Sequence, residues 1–399
     1  MSARCQVFCW ILVSWSLGAV NGCEKPRFDR KQRATITSLR LSARLTPPPS
    51  PSNRVADNPD AVTLGRALFF SKALSGDGSL SCASCHRPEL FYVDGLPRSK
   101  GVKETLRNAP TVVGSAFHTW FYWDGRRDSL WSQALIPIES ADEMGGNRVD
   151  AIRVVKRSPE LSRAYRAAFG ESPPSLEGLP GANPFGTAEQ KRAWAGLGAQ
   201  VQERVNRVFS NLGKSLASFQ RTLRPTPGAF DAYVTSLERG QRSDYSDEAR
   251  HGLELFIDDE KTRCLRCHNG PLFTNYDFHN IGTGNFDGER LDFGRVFGVR
   301  ALKLDPFNCL GPYSDAAPEQ CSALRFLSPQ GHVPLEGAFK VPSLRGVSRT
   351  APYFHDGSKG SLEEVVEHYR RPPAGQHELI PLQLTDAEAS ALVAFLKTL

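Results

Sequence analysis

Several things are scarce in this chain of 399 residues. No apolar run is long enough for a comfortable membrane span, which argues against a multi-span membrane protein. There is no dense block of Lys and Arg and no basic stripe interleaved with aromatics, so the formal net charge of +6 does not point to a nucleic-acid partner. Few stretches alternate apolar and polar residues cleanly, which leaves little room for strands. Methionine is rarer still: Met1 and Met144 are the two present. What remains is ordinary. With 40% hydrophobic and 23% charged residues the chain can bury real cores beneath an average surface.

The first residues read as an export signal. Arg4 supplies the positive start, Val7 to Val20 is mostly apolar, and Gly22-Cys23 follows. Val20-Asn21-Gly22-Cys23 resembles a lipoprotein processing site, with Asn before the Gly as a departure. Lipidation at Cys23, a membrane tether, and simple cleavage nearby both stay open. Either places the mature protein in the periplasm. Of the nine cysteines, Cys5 and Cys9 leave with the leader and Cys23 marks its end. Cys82/Cys85 and Cys264/Cys267 form two C-x-x-C pairs. Cys309 and Cys321 remain, and in an oxidising compartment a disulfide is their simplest use.

After the leader (1–23), residues 24–55 read as a polar linker ending in Pro47-Pro48-Pro49-Ser50-Pro51. A helix is expected over Ala61–Phe70 and a long one over Gln200–Leu223, with Val201, Val205, Val208, Leu212, Leu216, Phe219 and Leu223 on one face. The Pro/Gly-rich stretch from Gly170 to Gly186 reads as a surface insertion, and Pro225 and Pro227 mark a boundary. Gly65-x-x-Leu68-Phe69 before the first C-x-x-C recurs as Gly252-x-x-Leu255-Phe256 before the second. The chain closes on a helix with a Thr385/Glu388 capping box and an apolar stripe of Leu392, Phe395, Leu396 and Leu399. The expected class is mainly α with long loops, in two domains over 56–225 and 226–399.

Both pairs extend to C-x-x-C-H, as Cys82-Ala83-Ser84-Cys85-His86 and Cys264-Leu265-Arg266-Cys267-His268. Two thiols one helical turn apart can add to the two vinyl groups of one porphyrin, and the adjacent His can then ligate the iron. Two covalent haem c groups follow, and the two domains read as cytochrome c-like haem domains with long loops. A redox dithiol would not need the His, and a zinc site would need ligands gathered from both distant motifs. The sixth ligand decides between electron transfer and chemistry. Between Arg87 and Leu106 there is neither His nor Met, so the simplest reading leaves the first iron open to peroxide, although Tyr92, Lys100 or Lys103 could ligate.

These residues resemble the bacterial dihaem cytochrome c peroxidases and their MauG relatives. The resemblance runs from about Ala56 to Leu399. It rests on Arg107-Asn108-Ala109-Pro110-Thr111, on Phe121-Tyr122-Trp123-Asp124-Gly125-Arg126, on Gln133 followed ten residues later by Glu143, and on Thr350-Ala351-Pro352-Tyr353-Phe354-His355-Asp356-Gly357. It implies that Trp123 relays electrons between the haems. Gln133 and Glu143 would face the open iron, with Glu143 as the acid/base in O–O cleavage and Pro137 packing at the distal pocket. Asn108, by its side chain, and Thr350 and Pro352, by their carbonyls, would hold a calcium ion. Alone, Glu143 would read as a solvated acid and Trp123 as a core aromatic.

Two departures matter. The loop after the first motif lacks the His that blocks the iron in many family peroxidases. Fourteen residues after His355, where peroxidases carry a distal Met, stands Tyr369. MauG-like enzymes carry a Tyr there; His368 is the competing ligand. A phenolate stabilises higher iron oxidation states better than a thioether. The implied function is MauG-like: hydrogen peroxide as oxidant, and a partner protein, oxidised at tryptophan, as substrate. The alternatives are a peroxidase fed by a small cytochrome c or cupredoxin, and a plain electron carrier, which should have two six-coordinate haems.

Overall fold

The computed structural model describes residues 27–286, 290–327 and 336–399. The leader and Cys23 lie outside them. Among the described residues there are fourteen α-helices and four strands of two residues each, so the chain is mainly α, as expected. Phe278–His279 pairs antiparallel with Phe339–Lys340, and Asn285–Phe286 with Arg290–Leu291. No helix among the described residues is long and apolar enough to cross a membrane.

The first core is built on one close helix crossing. Helix Pro59–Phe70 starts where the Asn58 side chain accepts from the N–H groups of Asp60 and Ala61, with Pro59 in the first turn. It buries Ala61, Leu64, Gly65, Leu68 and Phe69 against the long helix Ala199–Gln220. A Cβ on Gly65 would lie 1.8 Å from the Ser215 carbonyl oxygen, so this approach needs a residue without a side chain. The long helix stops before the expected Leu223. The N–H of Arg221 caps it on Ala217 and Phe219, while its guanidinium turns away to Asp57 and the Pro48 carbonyl.

The second core repeats the device. Helix Asp247–Ile257, capped by Ser246, crosses the closing helix Asp386–Leu396, whose Thr385/Glu388 capping box is formed. A Cβ on Gly252 would stand 1.9 Å from the Ala391 carbonyl oxygen. Phe230, Phe256, Phe273 and Phe395 pack here as mutual edge-to-face or tilted rings. The repeated Gly-x-x-Leu-Phe is therefore a packing signature: the Gly admits the partner helix and the Leu and Phe fill the core beside it.

Each half also lends side chains to the other. The stretch read as a linker carries helix Arg30–Ser38, with a capping box on Asp29. Phe28, Ile36 and Leu39 are buried in the second core, and Leu41 N–H donates to Asp231. Asp231 in turn pairs with the buried Arg345, which also donates to the Leu39 carbonyl. In the other direction Phe307 and Tyr313 enter the first core from a segment closed by the Cys309–Cys321 disulfide. That segment is bound to the first half by Arg127–Asp305 and Lys214–Asp315 ion pairs. The stretch Gly170–Gly186 is likewise no simple surface insertion. Leu176, Ala182 and Asn183 are buried, and Asn183 Nδ2 donates to the carbonyls of Glu139 and Gly146.

The two crossings predict a stability test. Gly65→Ala and Gly252→Ala should each cost about 1–3 kcal/mol, the usual penalty of overpacking, and lower the Tm measured by circular dichroism. Gly196→Ala, whose added Cβ would meet nothing within 4 Å, is the control. Equal Tm values for all three would show that the crossings can relax freely.

Candidate active site

Each C-x-x-C-H motif is wound into a short turn that carries its His at the end. Cys82–Cys85 is one turn of α-helix and Cys264–Arg266 a 3-10 turn. His86 Nδ1 lies 3.2 Å from the Tyr92 carbonyl, and His268 Nδ1 3.0 Å from the Phe273 carbonyl. A carbonyl can only accept, so Nδ1 carries the hydrogen and Nε2 keeps a lone pair for iron. Burial lowers both imidazole pKa values, that of His268 to about 4, so each ring is neutral.

The four motif thiols are unpaired, and burial pushes Cys82 up to about 12 and Cys85 and Cys264 up to about 11. A redox dithiol depends on a lowered thiol pKa, which is the opposite of this environment. Among the described residues no group of three or more His, Cys, Asp or Glu could hold a metal ion, which disfavours zinc. Apolar surroundings, two thiols and one free imidazole nitrogen fit a haem.

The halves repeat one further device that the sequence reading missed. Tyr122 (φ 67°) and Gly125 (φ 65°) lie in a turn closed by the bridge Phe121–Arg127. Phe354 (φ 69°) and Gly357 (φ 64°) lie in a matching turn closed by Tyr353–Lys359. Each turn leads to a helix capped by a Ser: Leu130–Glu139 after Ser129, and Leu362–Arg370 after Ser361. Counting from the caps, Leu130 corresponds to Leu362, Gln133 to Val365 and Pro137 to Tyr369. The signal was available as shared x-Asp-Gly spacing, but too short to stand out.

In the second half this helix faces a cavity of about 460 Å³ that is also lined by Cys264, Cys267 and His268. Leu362, Val365, Val366 and Tyr369 recur at three- and four-residue steps and all line it. Burial raises the Tyr369 phenol pKa, and Cys264 and Cys267 raise it further, which places the phenol near the attachment thiols. His368 lies about 100° round the helix and does not line the cavity. Its Nε2 is 2.7 Å from the Ile281 carbonyl and its ring packs on Phe354.

In the first half the equivalent face is half-buried on an otherwise buried helix: Gln133, Ile136 and Pro137. Pro137 offers no donor atom to a metal. Glu143 follows in the loop after this helix. Burial raises its carboxyl pKa against the pull of Arg126, and its charge acts on Cys82, Cys85 and Tyr122, so it sits close to the first motif. The Tyr92 carbonyl accepts from His86 on the proximal side, Lys103 pairs with Asp142, and Lys100 is exposed. Met144 is buried in the first core.

Trp123 stands at the seam. Its indole N–H donates to the Asn108 carbonyl at 3.0 Å and its own carbonyl accepts from Lys340 N–H at 2.7 Å. Trp123 and Tyr122 both line the second cavity, and the Tyr122 hydroxyl reaches back to the Gln133 carbonyl at 3.2 Å, beneath Arg126 at 3.5 Å from its ring. The adjacent aromatics thus run from one motif's surroundings to the other's. Asn108, Thr350 and Pro352 also line this cavity, and Asn108 Nδ2 donates to the Leu96 carbonyl, leaving Oδ1 as the atom for a cation.

The di-haem cytochrome c peroxidase family model matches residues 59–239. The chain is 32% identical to the methylamine utilization protein MauG of Methylorubrum extorquens, over 98% of this chain and 94% of that protein. It is 31% identical to the cytochrome-c peroxidase IdrP1 of Denitromonas iodatirespirans, over 89% and 85%. A crystal structure of a MauG-like protein associated with microbial copper homeostasis superposes with a TM-score of 0.60 at 25% identity, covering 90% and 95%. The chain belongs to the di-haem cytochrome c peroxidase family, which includes both MauG and cytochrome c peroxidases. It is an oxidoreductase, and its family implies two haem c groups.

With Pro137 at the helix position that holds Tyr369 in the second half, the resting ferric protein should show a high-spin component from the first haem by EPR. It should react with peroxide without prior reduction. Two low-spin signals and no reaction before half-reduction would mean a blocked first iron.

Proposed function

We propose that this is an exported, MauG-like enzyme that takes its oxidising power from hydrogen peroxide at the first haem and spends it on a partner protein, at tryptophan, by long-range electron transfer. One observation carries the reading: the helix position that holds a phenol in the second site, Tyr369, holds Pro137 in the first. The same scaffold would thus offer a sixth ligand to the second iron and none to the first.

Haem, when bound, supplies an iron that can take oxidising equivalents from peroxide. The protein's part is proton movement, positioning and relay. Reduction of H₂O₂ to two waters takes up two electrons and two protons, and a proton must reach the leaving oxygen. The Glu143 carboxyl, with its pKa raised by burial, is suited to hold and deliver that proton, with Gln133 orienting the peroxide. Tyr122 and Trp123 provide closely spaced aromatics toward the second site. Asn108 Oδ1 and the Thr350 and Pro352 carbonyls would hold calcium, an oxygen-seeking cation, beside Trp123. The runner-up reading, peroxide removal with electrons from a small cytochrome c or cupredoxin, draws on the likeness to IdrP1.

Glu143→Gln should keep both haems and slow the reaction with peroxide by about 10²–10⁴ in stopped-flow measurements. A parental rate would remove Glu143 from the mechanism.

Tyr369 separates the two readings. The parent should oxidise reduced cytochrome c poorly, and Tyr369→Met should convert the second haem spectrum to the His/Met type while abolishing partner oxidation. Rapid turnover of cytochrome c by the parent, with Tyr369→Phe leaving the second haem spectrum unchanged, would instead make the protein a peroxidase with a packing tyrosine.

A further inference from the structure

Most deeply buried cations of this fold meet a carboxylate. Arg148 pairs with Glu139, Arg345 with Asp231 and Lys214 with Asp315. Lys340 does not. It is 8% exposed, and its Nζ lies 3.0 Å from His118 Nδ1 and 3.1 Å from the Trp120 carbonyl. Neither partner carries negative charge, and among the described residues no carboxylate pairs with it. Burial alone lowers its pKa to about 7, and burial, with Lys340 adding to it, takes His118 well below its ordinary value. A buried ammonium without a counter-ion is costly, so the site is built for an anion still to arrive.

The cavity says which anion. Lys340 and His118 line the same space as Cys264, Cys267, His268 and Tyr369. Haem c enters that space with two propionate carboxylates that thioether attachment does not consume. Of the other cations at the wall, Arg266 pairs with Asp259 at 2.9 Å and His279 with Glu378 at 2.6 Å, while Arg263 immediately precedes the attachment thiol Cys264. We propose that Lys340, held by His118 and the Trp120 carbonyl, is the counter-cation that binds a propionate of the second haem. The bond is an ion pair with no electron transferred. It returns the lysine to its charged form and fixes a positive charge on the strand that also binds the Trp123 carbonyl. The proposal rests on the haem reading of this cavity and not on which protein or donor the enzyme serves.

The test is spectroelectrochemical titration of the holoprotein, with the haems resolved by their spectra. A cation near a haem favours the ferrous state, so Lys340→Gln should shift the midpoint of the second haem to lower potential and leave the first in place. Both haems stay covalently attached. Lys340→Arg should keep the parental potential while moving a propionate carboxylate band in the redox-difference infrared spectrum. That variant also serves if Lys340→Gln does not fold. Parental potentials in Lys340→Gln, or an unmoved propionate band in Lys340→Arg, would overturn the proposal. Loss of partner oxidation in Tyr369→Met bears only on the enzyme's role and leaves this assignment standing.

Discussion

The arrangement of the two haem sites hangs on one guanidinium. Arg107 donates to Asp124 of the first half at 2.7 Å and, through two nitrogens, to Asp292 of the second at 2.8 Å. All three side chains are largely shielded from water, so removing one partner would strand charge in a poor dielectric, a loss of about 3–5 kcal/mol for buried pairs. Around this bridge the backbones press together. A Cβ on Gly298 would lie 2.0 Å from the Asp124 carbonyl oxygen, and Arg295 donates to the carbonyls of Asp124 and Gly125. Trp123 is next to Asp124, so the seam that locks the halves also fixes the position of this indole between them.

The repeat builds two sites on one architecture. Both halves use a Gly-mediated crossing, a His oriented by a carbonyl and a Ser-capped helix after an Asp-Gly turn. On the matching face of that helix they differ at Gln133 against Val365 and at Pro137 against Tyr369. Burial raises the Tyr369 phenol pKa in the protein alone; a ferric ion would act in the opposite direction, because a bound cation favours the phenolate.

The parts of this site that were legible in the sequence are those whose chemistry is local. The C-x-x-C-H motifs, the Thr385 cap and the Gly-x-x-Leu-Phe repeat each fit within one element. The contest between His368 and Tyr369 was visible, but only the helix face distinguishes them. The linker reading of 24–55 differs from the fold for a physical reason: Phe28, Ile36 and Leu39 are spaced among Arg, Lys and Gln and next to a proline run, so their apolar face shows no strong local pattern. Lys340 left no trace either. A lone lysine looks solvated until the strand pairing, His118 and the cavity wall are placed around it, and those lie over two hundred residues apart in the chain.

The crossing-over of side chains between the cores bears on the order in which the protein can be made. A chain that emerges N-terminus first presents Phe28, Ile36 and Leu39 long before Phe395, with which they share a core, exists. The first core is likewise unfinished until Phe307 and Tyr313 arrive. Neither half can therefore complete itself behind the advancing chain, and a fragment cut near Pro225 would leave both cores short of members. Final docking waits for the last helix, long after the first C-x-x-C-H motif has been made, so that motif stays in a chain that is still open.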